Sequence, residues 1–344
     1  MSCTRQTGEN NHQVFRLNIH ENINTLDPAY ARDLRSIWAM NQLFNGLVKL
    51  DAELNIQPDI AKSWDISDDG LVYHFYLRDD VYFHESSLFA GAKTRKVVAS
   101  DFKYSFDRIK DSKIASPGLW TLENVASYKA VHDSVFQITL KSPFSPFLGI
   151  LSMKYLSVLP EELRANTDHN IGVKPIGTGP FYAKAWMPNL KMVLRKNTLY
   201  FETNIKGEQL PHLEAVAITF VPDKQSEFLQ FIQGNIDFMS SIDASYKDDL
   251  LTTDGTLKAH HKNNINMISG PYLNTEYLGV YLDAAEKEVN SIKIRKALNY
   301  GFDREKMILY LRNGIGTPAI NGFIPKGLPS FNNMKGYTYQ PKKA

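Results

Sequence analysis

Residues 172–201 read GVKPIGTGPFYAKAWMPNLKMVLRKNTLYF, and the glycine-rich PIGTGPF within them either cradles a phosphate or only turns the chain. A phosphate loop needs consecutive backbone N–H groups facing the anion, where a strand passes into a helix N-terminus. Pro175 and Pro180 have no N–H to give. No Lys-Ser or Lys-Thr pair follows Gly179, and Phe181 to Trp186 has the large side chains of a strand. The segment is therefore expected to be a rigid turn that feeds a strand.

Working outward, Val14 to Ile19 is expected to be a first strand, ended by the turn at Leu26-Asp27-Pro28. Ile37, Met40, Phe44 and Leu47 recur at helical spacing and predict a helix over Leu34 to Phe44. Ser63 to Ile66 and Leu71 to Leu77 read as a hairpin about Ser67-Asp68-Asp69-Gly70. Ser100 is the expected N-cap of a helix carrying Phe102, Phe106 and Ile109 on one face. Strands follow at 135–140, 182–186, 191–195 and 215–220, and then a helix capped by Asp223 and stopped by Gly234. A strand at Tyr277 to Leu282 and helices at Ile292 to Tyr300 and Asp303 to Arg312 complete a mixed α/β chain of several lobes.

The bulk numbers narrow the function. A chain of 344 residues is long for one domain. The 39 Lys and Arg nearly balance the 37 Asp and Glu, so the basic field of a nucleic-acid-binding protein is lacking. Phe147 to Leu159, the longest apolar stretch, includes Lys154 and falls short of a spanning helix. The single cysteine, Cys3, excludes a disulfide framework; it lies in the polar start MSCTRQTGENNHQ, the setting of a lipid-accepting cysteine followed by a disordered tether over 1–13.

No catalytic constellation emerges. Asp65 to Gly70 imitates the front of a calcium loop, but Tyr76 stands where the bidentate glutamate belongs. Gly314 to Ala319 imitates a dinucleotide fingerprint after a helix instead of a strand. The nine histidines contain no His-Glu-x-x-His, and no Gly-x-Ser-x-Gly elbow occurs. Among the aromatic residues, Trp120, Tyr272 and Tyr277 stand where a cleft would use an apolar body with one polar handle.

In this order the chain resembles the extracytoplasmic solute-binding proteins of ABC importers, in the oligopeptide- and dipeptide-binding family (family 5). The resemblance is carried by TLDP (25–28), LFNGL (43–47), PDIAKSW (58–64), DDGL (68–71), LRDDVYF (77–83), ASDFKYS (99–105), GTGPF (177–181), GNID (234–237), IRKAL (294–298) and DR (303–304). It implies an α/β, periplasmic-binding-protein-like two-lobe clamp. Lobe I would comprise a sheet subdomain, 14–49 plus 173–270, with an inserted subdomain at 50–172. Lobe II would begin at 271–344 and be truncated, because the chain ends where the family's next helix is expected, short of the aspartate that holds a peptide's amino terminus. A basic loop at 85–96 departs from the family's shorter turn.

The resemblance also implies a non-catalytic, lipid-anchored receptor, periplasmic or at the cell surface. It would capture short peptides and deliver them to permease subunits, with no cofactor, no nucleic acid and no membrane contact beyond the lipid on Cys3. Ligand main chain would pair with Asn22, Ile23 and Asn24, and Trp120, Tyr272 and Tyr277 would line pockets. The alternatives are another solute, such as a chelated metal or an oligosaccharide, or a hydrolase acting through Glu21 and Asp27.

Overall fold

The computed structural model describes residues 13–252, 255–270, 273–283, 288–312, 314–328 and 330–344, and the chain divides into two units at Ser240 and Ser241. In the first unit the order is β1 (Val14–Asn18), α1 (Leu34–Leu43), β2 (Val48–Leu50), β3 (Ile56–Pro58), β4 (Ala61–Ile66), β5 (Val72–Leu77) and α2 (Ala99–Lys110). Then come β6 (Val125–His132), β7 (Val135–Leu140), α3 (Phe147–Leu151), β8 (Phe181–Met187), β9 (Lys191–Lys196), β10 (Ala215–Thr219) and α4 (Lys224–Ile232). The first strand pairs with the last: β1 runs parallel to β10, Val14 opposite Ala215 and Asn18 opposite Thr219. Parallel neighbours need a crossover, and here it holds most of the unit. The sheet order is β1-β10-β9-β8, antiparallel beyond β10.

Inside that crossover lies a four-stranded antiparallel sheet, β4-β5-β7-β6. Its hairpin turns at Gly70, whose φ of +70° a residue with a Cβ adopts only under strain. The face of α2 predicted from Phe102 and Phe106 packs on this sheet, with ring centroids 5.8 and 5.3 Å from Phe136. One hydrophobic core runs from Ile23 and Met40 through Phe75 and Phe136 to Leu194 and Ile218.

Two expectations about local structure need correction. Ser100 is not the cap of α2: the helix begins at Ala99, and the Asp101 carboxylate accepts the Val98 N–H at 2.9 Å. Ser100 Oγ instead donates to Glu161 at 3.1 Å. Tyr277 to Leu282 forms no strand, because among the described residues no other chain segment pairs with it, and extended backbone becomes a strand only through such pairing.

The opening stretch is a turn, and its glycines are explained by a close approach. A Cβ on Gly177 would lie 2.0 Å from the carbonyl oxygen of Leu43, and one on Gly179 would lie 2.5 Å from that of Gln42. The turn lies flat on the C-terminal end of α1. Its N–H groups are also spent: Gly179 N donates to Leu43 O at 2.9 Å and Gly177 N to His84 Nδ1 at 3.3 Å. No donor at either glycine is left for a phosphate.

The second unit contains α5 (Lys247–Leu250), α6 (Ile292–Gly301) and α7 (Arg304–Leu311). Asp303 caps α7, accepting from Lys306 N at 3.0 Å, and Tyr300 packs edge-on against Tyr337 at 5.1 Å. Neither α6 nor α7 has a buried residue, and Leu298, Leu309 and Leu311 are exposed.

Candidate ligand-binding site

The β1 ladder runs on by one bond, from Ile19 N to Thr219 O at 2.9 Å, and then stops. The Asn18 side chain closes it, accepting from Val221 N at 2.8 Å and donating to Val221 O at 3.0 Å. Beyond this the chain bends at His20 and Glu21 and runs without regular structure to Asp27. Among the described residues, no hydrogen bond is made by the backbone N–H or C=O of Asn22, Ile23 or Asn24. The segment is nonetheless fixed at both ends and from below. Ile23 is fully buried, Asn22 Oδ1 accepts from Asn189 N at 3.2 Å, and Leu26 N donates to Gly172 O at 2.9 Å. A stretch of backbone that is fixed at both ends and left unpaired can accept an added strand.

Behind the segment is a buried ion pair. Arg108 of α2 grips both oxygens of Asp27 at 2.9 and 2.8 Å, and Asp27 also caps the following turn through Ala29 N at 3.0 Å. Burial opposes the Arg108 charge, and the Asp27 partner outweighs it, so the guanidinium is held above its ordinary value. Glu21 is paired with Arg35 at 2.5 Å. Each of these carboxylates thus has an arginine partner.

Trp120 lies on a single 3-10 turn, Leu119–Leu122, and is 46% exposed. The loop before it is tied to the residues following the edge segment: Tyr30 OH donates to Ile114 O at 2.6 Å and Ser116 Oγ to Ala29 O at 2.6 Å. Asn22 to Asn24 and Trp120 thus stand on linked elements of the first unit. Tyr277 belongs to the second unit, where it is exposed and stacks edge-on with Phe323 at 5.0 Å. Tyr272 and Cys3 lie outside the described residues.

Sequence reasoning missed two clusters. His84, 5% exposed, clasps the glycine turn by accepting from Gly177 N and donating through Nε2 to Gly179 O at 3.0 Å. Burial pushes its ring down to about 4, the bond to Gly179 only partly opposing. At the carboxyl ends of the parallel strands β1 and β10, His20, Lys224 and the buried Glu227 come together. The 85–96 loop is less basic in effect than in composition: Arg95 is bonded to Asp101 at 2.8 and 2.6 Å and to Glu162 at 2.6 and 2.5 Å. A surface cleft of about 370 Å³ beside α2 offers no free charge at its two arginines, since Arg108 is taken by Asp27 and Arg164 by Asp107.

The mixed sheets, the long insertion and the unpaired edge define an α/β fold of the periplasmic-binding-protein type. Solved structures have it too. The periplasmic binding protein DppA of Helicobacter pylori, solved in complex with peptide STSA, aligns with a TM-score of 0.78 and 27% identity, covering 96% of this chain and 64% of that one. NikZ of Campylobacter jejuni, solved with Ni(L-His), aligns with a TM-score of 0.71 and 28% identity, covering 96% and 61%. The glutathione-binding protein GsiB of Escherichia coli is 27% identical over 326 residues, 95% of this chain and 59% of the relative. The family model described as bacterial extracellular solute-binding proteins, family 5 middle, matches residues 55–344. The chain belongs to this family, the solute-binding proteins of ABC importers. It spans about three fifths of the length of the relatives it matches.

Proposed function

We propose that the protein captures short peptides outside the cytoplasmic membrane and delivers them, uncleaved, to the permease of an ABC importer, held at the membrane by a lipid on Cys3. The observation that carries the reading is the unpaired backbone of Asn22, Ile23 and Asn24, held in place by neighbours that leave its donors and acceptors open. Main-chain pairing with a peptide gives affinity without reading its sequence, and Trp120, on an element tied to the same segment, serves as a side-chain contact. That DppA was solved with a peptide supports this reading; that NikZ was solved with Ni(L-His) makes a metal chelate the second reading. Thermal unfolding with added di- to pentapeptides tests it. At a hundred times Kd a ligand adds about 2.7 kcal/mol of stability, so the melting temperature rises and the peptides are recovered intact. No shift, or cleaved peptides, contradicts it.

A further inference from the structure

The charged groups beside the Asn22 edge form an arrangement that strand pairing alone does not require. Glu227, 2% exposed, accepts from Asn18 Nδ2 at 3.2 Å. One of its oxygens lies 3.4 Å from His20 Nδ1 and 3.5 Å from Lys224 Nζ. Lys224 Nζ also contacts His20 Nε2. An ammonium can only donate, so His20 Nε2 accepts there and the ring proton sits on Nδ1, which is buried without a hydrogen-bond partner among the described residues. The anion is sealed beneath, while the His20 and Lys224 side chains are 31% and 36% exposed. An ammonium has three N–H groups, and His20 and Glu227 engage two. The remaining charges nearby are committed: Glu21 pairs with Arg35, which also faces Asp33 at 3.8 Å, and Asp223 caps α4 through Ser226 N at 2.8 Å. A metal is disfavoured, because Lys224 occupies the imidazole lone pair that would bind it.

We propose that His20 and Lys224, backed by Glu227, form a subsite for a carboxylate of the ligand lying along Asn22 to Asn24. The proposal rests on the peptide reading above. The carboxylate accepts the Lys224 N–H that neither His20 nor Glu227 engages, while Glu227, sealed beneath, holds the ammonium from the other side at 3.5 Å.

Calorimetric titration with tri-alanine and with tri-alanine amide at pH 7 tests this. The acid is expected to bind about tenfold more tightly than the amide, since charge-assisted hydrogen bonds are the stronger kind. Lys224→Met combined with Glu227→Gln, which leaves no buried charge unpaired, brings acid and amide within about twofold, while Lys224→Arg keeps the preference. Equal affinity of the parent for acid and amide, or an unchanged preference in the double variant, overturns the subsite and leaves the peptide reading standing. Binding of neither peptide overturns both.

Discussion

Gly177→Ala tests whether the glycine turn is seated on α1 as described. The added Cβ would lie 2.0 Å from Leu43 O and 2.7 Å from a ring carbon of Phe44, where real Cβ atoms essentially never come within 3.0 Å. The nearest obstacle is backbone, so the turn itself must lift by at least 1.0 Å, the difference between 3.0 and 2.0 Å. Lifting stretches the bonds from Gly179 N to Leu43 O and from His84 N to Gly177 O, now 2.9 and 2.7 Å, past hydrogen-bond length. Buried polar groups left without partners cost about 1–3 kcal/mol each, and overpacking adds about 1–3 kcal/mol. The expected loss is at least about 3 kcal/mol, read as a lower urea midpoint at unchanged slope. Gly149→Ala is the control, because a Cβ there meets nothing within 4 Å; it should change stability by less than about 1 kcal/mol. A Gly177→Ala midpoint matching that of the control would refute the reasoning.

Two further outcomes follow from buried charge. Burial holds His84 at about 4 in the folded protein, against 6.5 for a free imidazole. Because the folded form binds the proton less readily, its contribution is complete above pH 6.5 and is lost as pH falls through about 4, roughly 3 kcal/mol in all; urea midpoints from pH 7.5 to 4.5 should fall more steeply in the parent than in His84→Gln. Arg95→Met leaves the fully buried Asp101 carboxylate without its cation and should cost about 3–5 kcal/mol, while Arg95→Lys, which cannot grip Asp101 and Glu162 bidentately, should fall between; equal melting temperatures for parent and Arg95→Met would contradict this.

Elements marked by local pattern were legible in the sequence. The hairpin about Gly70, the strand at 135–140 and the helix after Asp223 were read to within a few residues, because alternation, a left-handed glycine and an Asp cap act over short range. Strand β6 was passed over. Its VASYKAVH mixes polar residues throughout, as suits an edge strand with two register shifts. Ser100 was read as a cap because the sequence does not reveal that Asp101 reaches back to Val98 while Arg95 compensates its burial. His84 on the glycine turn, and His20 with Glu227, are meetings of residues about 95 and 207 positions apart that no local signal announces. Asn22 to Asn24 are named by the family resemblance, and their freedom from pairing is visible only in three dimensions.

Mass spectrometry of small molecules released from the protein after gentle purification and denaturation tests the central claim most directly. Peptide capture through main-chain pairing at Asn22 to Asn24 predicts a mixture of intact short peptides of varied sequence, at near one equivalent, depleted when the edge is blocked by Ile23→Pro, which removes one N–H from it. A single metal chelate, a single sugar or peptides all sharing one cleavage end would contradict it.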